Sequence, residues 1–301
     1  MVLLIDQLDA LSNLVVQSPS RLSVFARLIG DLAQVPQVHV IASCRTFEQQ
    51  HDPVLRTIQS SPITLELPPW ASVEHVLSQN GVLTTGWNDE LKELLRLPQA
   101  LQILLELRAG APDLPLPNSY QELLDELWRR RVLDSSDPKV AGLAKRVTDL
   151  IASREELWLP QALFDEDRPS LNRLIASGVL HGESQRVGFR HQTLFEHARA
   201  RGFARDPSTL VEAVRRQQGR LRVRPQVWHA LIYLRQVDPT GYASVLEQLL
   251  GWTELRDHLR MLLIEHMGMQ KAPLAAEATL MLRAADDALW RARVINASSH
   301  S

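Results

Sequence analysis

Apolar positions along the chain change their period at about residue 70. Val2 to Ile5 is a continuous apolar run, and Val38 to Ala42 is a second, rich in β-branched residues and preceded by a turn signal at Pro36-Gln37. Both predict strands, the first buried on two faces. Between them Leu22, Phe25, Leu28, Ile29 and Leu32 recur at helical spacing, with Ser20 placed as a cap and Arg21, Arg27 and Asp31 on the opposite side. The segment therefore predicts a strand, helix, strand unit. Ile63, Leu65 and Leu67 alternate with Thr64 and Glu66 before Pro68-Pro69, which predicts a third strand.

After Trp70 the pattern becomes helical. Helices are predicted near 72–79, 88–95 and 98–108, followed by a linker at Pro112, Pro115 and Pro117. Asn118 or Ser119 is placed to cap the next helix, which carries Tyr120, Leu123, Leu124, Leu127 and Trp128. Helices near 139–153, 160–164 and 169–176 lead to Gly178-Val179-Leu180, a polar turn over His181 to Ser184, and Val187 to Arg190. Helices followed by a hairpin predict a winged helix. Beyond Pro207, helices near 208–217, 225–236, 239–250, 253–267 and 272–285 predict the start of a helical repeat array, with a disordered tail after Ala297. Seven widely spaced tryptophans read as core anchors.

Charge and cysteine content narrow the function classes. The 301 residues include 33 Lys plus Arg and 35 Asp plus Glu, a formal charge of -2 that gives no global attraction to nucleic acid. The basic stretch Arg215, Arg216, Arg220, Arg222 and Arg224 has no interleaved aromatic residue, so it reads as a solvated face or a contact to an acidic protein partner before it reads as a DNA contact. Cys44, the single cysteine, excludes an intramolecular disulfide and a Cys-rich zinc site, and it reads as a small buried filler in a reducing, cytoplasmic setting. No apolar run approaches the roughly 18 residues of a membrane span. His-Glu-x-x-His and Gly-x-Ser-x-Gly are absent, and His258 and the Glu265-His266 pair are expected on solvated helix surfaces.

The strongest chemical signal is Leu3-Leu4-Ile5-Asp6-Gln7-Leu8-Asp9, an apolar strand delivering one acid at its carboxyl end and another three positions later. The second strand ends in Ala42-Ser43-Cys44-Arg45, which brings polar groups to the same sheet edge. These residues also have plainer readings, with Asp6 capping a helix and Arg45 paired to Glu48. Gly30 is the first glycine and no Gly-Lys pair occurs, so the chain has no candidate for a phosphate-cradling loop with its lysine.

Two further segments complete a family resemblance. They are Arg96-Leu97-Pro98-Gln99-Ala100-Leu101 and Phe189-Arg190-His191-Gln192-Thr193-Leu194-Phe195-Glu196-His197. Over about residues 2–205 the chain resembles the STAND class of signalling NTPases, the NACHT and NB-ARC proteins. The resemblance implies a mainly α chain: a truncated α/β P-loop NTPase core over 1–68, a helical lid over 69–117, a winged-helix domain over 118–206 and α-helical repeats over 207–301. It places Asp6 and Asp9 as the Walker B acids, with Asp6 holding Mg²⁺ through water. Ser43 and Arg45 fall at the sensor 1 edge, Pro98 beside the nucleotide base and His191 at the β-phosphate of ADP. Arg96 stands where the lid motif has glycine. The implied cofactors are ATP or ADP with Mg²⁺, and the implied partner is another protein or a second copy of the chain.

Lacking a P-loop, the chain is not expected to hydrolyse ATP alone. It reads as a truncated product, a member that lost its nucleotide site, or half of a site completed by another chain. A helical interaction scaffold without nucleotide chemistry and a winged-helix DNA-binding regulator are the competing classes. In the family the P-loop strand lies between the two strands here at Val38 to Ala42 and Ile63 to Leu67. These are therefore expected to pair directly, because an unpaired buried edge costs about 1–3 kcal/mol per orphaned group, or else the chain is expected to be poorly soluble.

Overall fold

A computed structural model describes residues 1–6, 8, 19–44, 49, 52–58, 61–111, 113–219 and 223–298. It is mainly helical, with two small sheets among the described residues. The chain divides into two compact units, Met1–Glu66 with Gly219–Val223, and Leu67–Gln218 with Arg224–Ser301.

In the first unit β1 (Val2–Ile5) pairs in parallel with β2 (His39–Ala42), in the register Val2 to His39 through Ile5 to Ala42. Parallel neighbours need a crossover, and α1 (Pro19–Ala33) lies in it and packs on β2. Leu22 and Ile29 of α1 form a small core with Leu8, Leu55, Ile5 and Val40. The unit departs from expectation in three places. β1 is not buried on both faces: Val2 is 59% and Leu4 71% exposed, because the described core covers only the side occupied by Ile5. Residues 61–69 form no strand, and Ile63 and Leu65 are 88% and 95% exposed. Alternation alone does not make a strand, since the ladder needs a partner for its backbone groups, and among the described residues β2 pairs only with β1. Cys44 is exposed and is no core filler. The Ser20 side chain lies outside the described residues.

The second unit opens with α2 (Trp70–Gln79), α3 (Asp89–Leu95) and α4 (Pro98–Gly110). Asn88 caps α3 by accepting from Leu91 N at 2.8 Å, and Pro98 starts α4 at a position where a missing N–H costs nothing. Ser119 caps α5 (Tyr120–Trp128), accepting from Glu122 N at 3.1 Å while the Glu122 carboxylate accepts from Asn118 N at 2.7 Å. Val73, Leu77, Leu91, Leu95, Ile103, Leu104 and Leu107 share one core with Leu123, Leu124 and Leu127 of α5. Arg129–Leu133 extends α5 as a π-helical turn.

Next come α6 (Lys139–Arg154), β3 (Leu159–Pro160), 3-10 turns over Gln161–Asp167 and α7 (Arg168–Ala176). β4 (Leu180–Glu183), β5 (Arg186–Phe189) and α8 (Gln192–Arg205) follow. The three strands form an antiparallel sheet in the order β3-β5-β4. The expected turn over His181 to Ser184 is displaced: His181, Gly182 and Glu183 belong to β4, and the turn is Ser184-Gln185 with φ of 48° and 62°. Two positive φ values make a type I′ turn, whose twist suits a tight hairpin even without Gly or Asn. Gly188 is required for packing, because a Cβ there would meet Leu157 O at 2.4 Å. Gly188→Ala should separate β3 from β5 and lower stability by about 1–3 kcal/mol, measured by urea unfolding. A cost below a few tenths would contradict this.

The remaining helices are α9 (Ser208–Gln217), α10 (Val223–Val237), α11 (Pro239–Leu250), α12 (Asp257–Gly268), α13 (Ala275–Asp286) and α14 (Ala288–Ser298). α11 packs on α12, and α12, α13 and α14 pack on one another. The sequence pattern missed α14. Among the seven tryptophans Trp87, Trp128 and Trp290 are buried, and Trp70, Trp158, Trp228 and Trp252 are half-buried. His266 is 1% exposed, against the expectation of a solvated surface, and His258 is half-buried.

Candidate functional site

The polar tip of the first unit follows from strand register. Ile5 and Ala42 are the last paired residues, so Asp6 and Ser43 emerge side by side at the carboxyl ends of two parallel strands. Ser43 N donates to Ile5 O at 2.9 Å and Leu8 N donates to Ser43 O at 2.9 Å, which holds the two exits together. The Ser43 hydroxyl donates to Asp6 Oδ1. An acceptor carboxylate in this position is anchored on one oxygen and presents the other. Asp9 and Arg45 lie outside the described residues.

In the second unit the sequence-predicted residues gather at the amino ends of α4 and α8. Gln99, next to Pro98, donates to the Thr193 hydroxyl, two positions after His191. Pro98 is exposed and occupies the first turn of α4. His191 stands at the N-cap of α8, where its side chain makes no capping hydrogen bond and its carbonyl accepts from Leu194 N at 3.1 Å. Burial first, then the neighbouring Arg190 and Arg131 guanidinium groups, hold the His191 ring below the usual imidazole value, with Glu106 opposing them. Arg96 ties the incoming segment to α3: its Nε donates to Pro68 O at 2.8 Å and its Nη1 to Glu93 Oε2 at 2.8 Å.

Sequence reasoning missed Arg131 and Glu106. The available signal was Arg129-Arg130-Arg131 at the end of an amphipathic helix. Arg129 and Arg130 are satisfied by Glu126, whereas Arg131 reaches back to α4 and pairs with Glu106. A second polar cluster joins α5, α8 and α10. Buried His197 takes a hydrogen bond on Nδ1 from Gln121 Nε2 at 2.7 Å, which leaves the proton on Nε2. That nitrogen is 3.4 Å from Asp125 Oδ1, an electrostatic contact without hydrogen-bond geometry, while Arg201 donates to the same oxygen. Burial depresses the His197 ring more than Asp125 raises it. Burial pushes the Tyr233 phenol up to about 12.

In the basic stretch, Arg215 lies over the Trp252 ring at 5.6 Å and Arg216 pairs with Glu212 at 3.0 Å; Arg220 and Arg222 lie outside the described residues. Among the described residues no group of three His, Cys, Asp or Glu side chains converges as a metal site, and no helix is long and apolar enough to cross a membrane.

Fold and sites together define a mainly helical protein with a carboxylate–hydroxyl sheet tip in one unit and a basic helix-start cluster in the other. The chain matches no protein-family model and no curated protein.

Proposed function

We propose that this chain is the carboxyl-side portion of a STAND-type ATP-binding signalling switch, cytoplasmic, in which nucleotide gates oligomerisation. The carrying observation is the pairing of Asp6 and Ser43 at the carboxyl ends of adjacent parallel strands. An Asp6 carboxylate anchored on Oδ1 by Ser43 suits a water-mediated hold on Mg²⁺ through its other oxygen. Asp9 would orient an attacking water, Arg45 would meet phosphate, Pro98 the base and His191 the β-phosphate. When bound, Mg²⁺-nucleotide supplies the phosphoanhydride and its charge-neutralising cation; this chain's residues position it, and hydrolysis would also need a phosphate-cradling loop, for which this chain has no Gly-Lys pair. A winged-helix reading of residues 118–206 is supported by the antiparallel order β3-β5-β4 beside α6, α7 and α8.

A second reading, a nucleotide-independent interaction scaffold, is favoured by the exposed apolar side chains of Val2, Leu4 and Ile41 on one small sheet. Calorimetry with Mg²⁺-ATP and ADP separates the two. Saturable heat is expected, with affinity reduced about tenfold or more in Asp6→Asn and His191→Ala. Silence at millimolar ligand would favour the scaffold.

A further inference from the structure

Gly178, in the turn after α7, has φ of 72°, and the space beside its Cα is filled by two cations. A Cβ there would meet Arg190 Nη1 at 3.0 Å and Arg131 Nη1 at 3.3 Å. The two guanidinium groups therefore end against one point, Arg131 arriving from the π-helical turn and Arg190 from the segment between β5 and α8. Arg190 N is fixed by donating to Val179 O at 3.1 Å, so the convergence is built into the backbone.

The local charges do not balance. Arg131 pairs with Glu106, whose other oxygen accepts from Gln102 Nε2 at 3.0 Å. Among the described residues Arg190 has no carboxylate partner, and the adjacent His191 adds no negative charge. Two like charges held together against one carboxylate repel, and the arrangement is relieved by a second anion. Planar guanidinium forks match the oxygens of a phosphoryl group.

We propose that Arg131 and Arg190 form a binding site for a compact phosphoryl dianion above Gly178, with Glu106 as the internal competitor that occupies Arg131 when the site is empty. The site lies wholly within the second unit and does not depend on the nucleotide reading. It differs from that reading in its residues, because Arg131 and Arg190 hold the ligand and His191 is only a neighbour.

The test is calorimetry of the full chain with inorganic phosphate, against sodium chloride at matched ionic strength and constant pH. Saturable phosphate heat absent from chloride is expected. Arg190→Gln and Arg131→Gln should each weaken it about tenfold or more, and Glu106→Gln should tighten it by releasing Arg131. Arg190 is exposed, so its variant should keep the wild-type urea midpoint, which separates loss of the site from loss of the fold. Equal heats for wild type and Arg190→Gln, no saturable phosphate heat, or weakening in Glu106→Gln would overturn the site. Displacement of phosphate by ADP would identify nucleotide as its source, and phosphate binding without displacement a free phosphate or phosphometabolite. Phosphate binding that survives when the ADP and ATP titrations are silent would separate this site from the nucleotide proposal.

Discussion

Glu277→Ala is expected to lower the stability of the helical array by about 2–4 kcal/mol, because it strips a half-buried guanidinium and a buried hydroxyl of their shared acceptor. Glu277 is buried on α13 and its carboxylate is fully engaged. Arg235 Nε of α10 donates at 2.8 Å, Tyr242 OH of α11 at 2.7 Å and Leu274 N at 2.6 Å. Burial pushes this carboxyl up, and the bonds from Arg235, Tyr242 and Leu274 more than offset it, so it is held below the ordinary glutamate value. The alanine variant takes the carboxylate from the Arg235 guanidinium, which keeps its bond to Ala272 O, and leaves the buried Tyr242 hydroxyl without its acceptor. Replacing both members, Arg235→Met with Glu277→Leu, should recover much of the loss, since an apolar pair of similar size replaces a desolvated ionic one. Urea unfolding checks both. A single-variant loss under about 1 kcal/mol would mean the network is solvated and peripheral.

Acidification should weaken the same helices through His266. Its ring sits edge-on to Trp228 and Tyr242 with centroids at 5.1 and 5.8 Å, and among the described residues neither ring nitrogen has a hydrogen-bond partner. Burial pushes its pKa down from 6.5 to about 4, with Glu277 opposing and Arg235 adding to the fall. The sign follows from proton uptake. Between these values the unfolded chain binds a proton that the folded chain does not, so stability present above pH 6.5 is lost as pH falls towards the folded value and levels off below it. At 1.36 kcal/mol per unit the loss is about 3 kcal/mol. His197 is depressed in the same direction, so the decisive quantity is the difference between wild type and His266→Leu. The leucine variant should be at least as stable at neutral pH and should show a flatter decline between about pH 6.5 and 4. Parallel declines in the two proteins would sink the assignment.

Helix positions were legible because their signals are local. The α4 start follows from Pro98, α5 from Ser119 with Glu122 three residues on, and the strand, helix, strand unit from apolar runs separated by a 3.6-residue pattern. Failures came where pairing or packing decides. Ile63, Leu65 and Leu67 have the alternation of a strand and, among the described residues, no neighbour to supply its ladder. His266 lies in a polar-looking Glu-His pair, yet helix rotation turns the ring inward against Trp228. Of the candidate site, Asp6 and Ser43 were predictable from strand ends alone, whereas the meeting of Arg131, Arg190 and Glu106 joins segments distant in sequence.

By itself the amino-acid order determined the mainly helical character, most helix starts and the parallel pair that ends in Asp6 and Ser43. Those depend on capping, propensity and periodicity, which act over a few neighbouring residues. Tertiary structure alone decided that Val2 and Leu4 stay uncovered, that Glu277 and His266 are desolvated, and that two arginines converge over Gly178. Burial and electrostatic balance depend on which distant surfaces meet, and no local pattern carries that information.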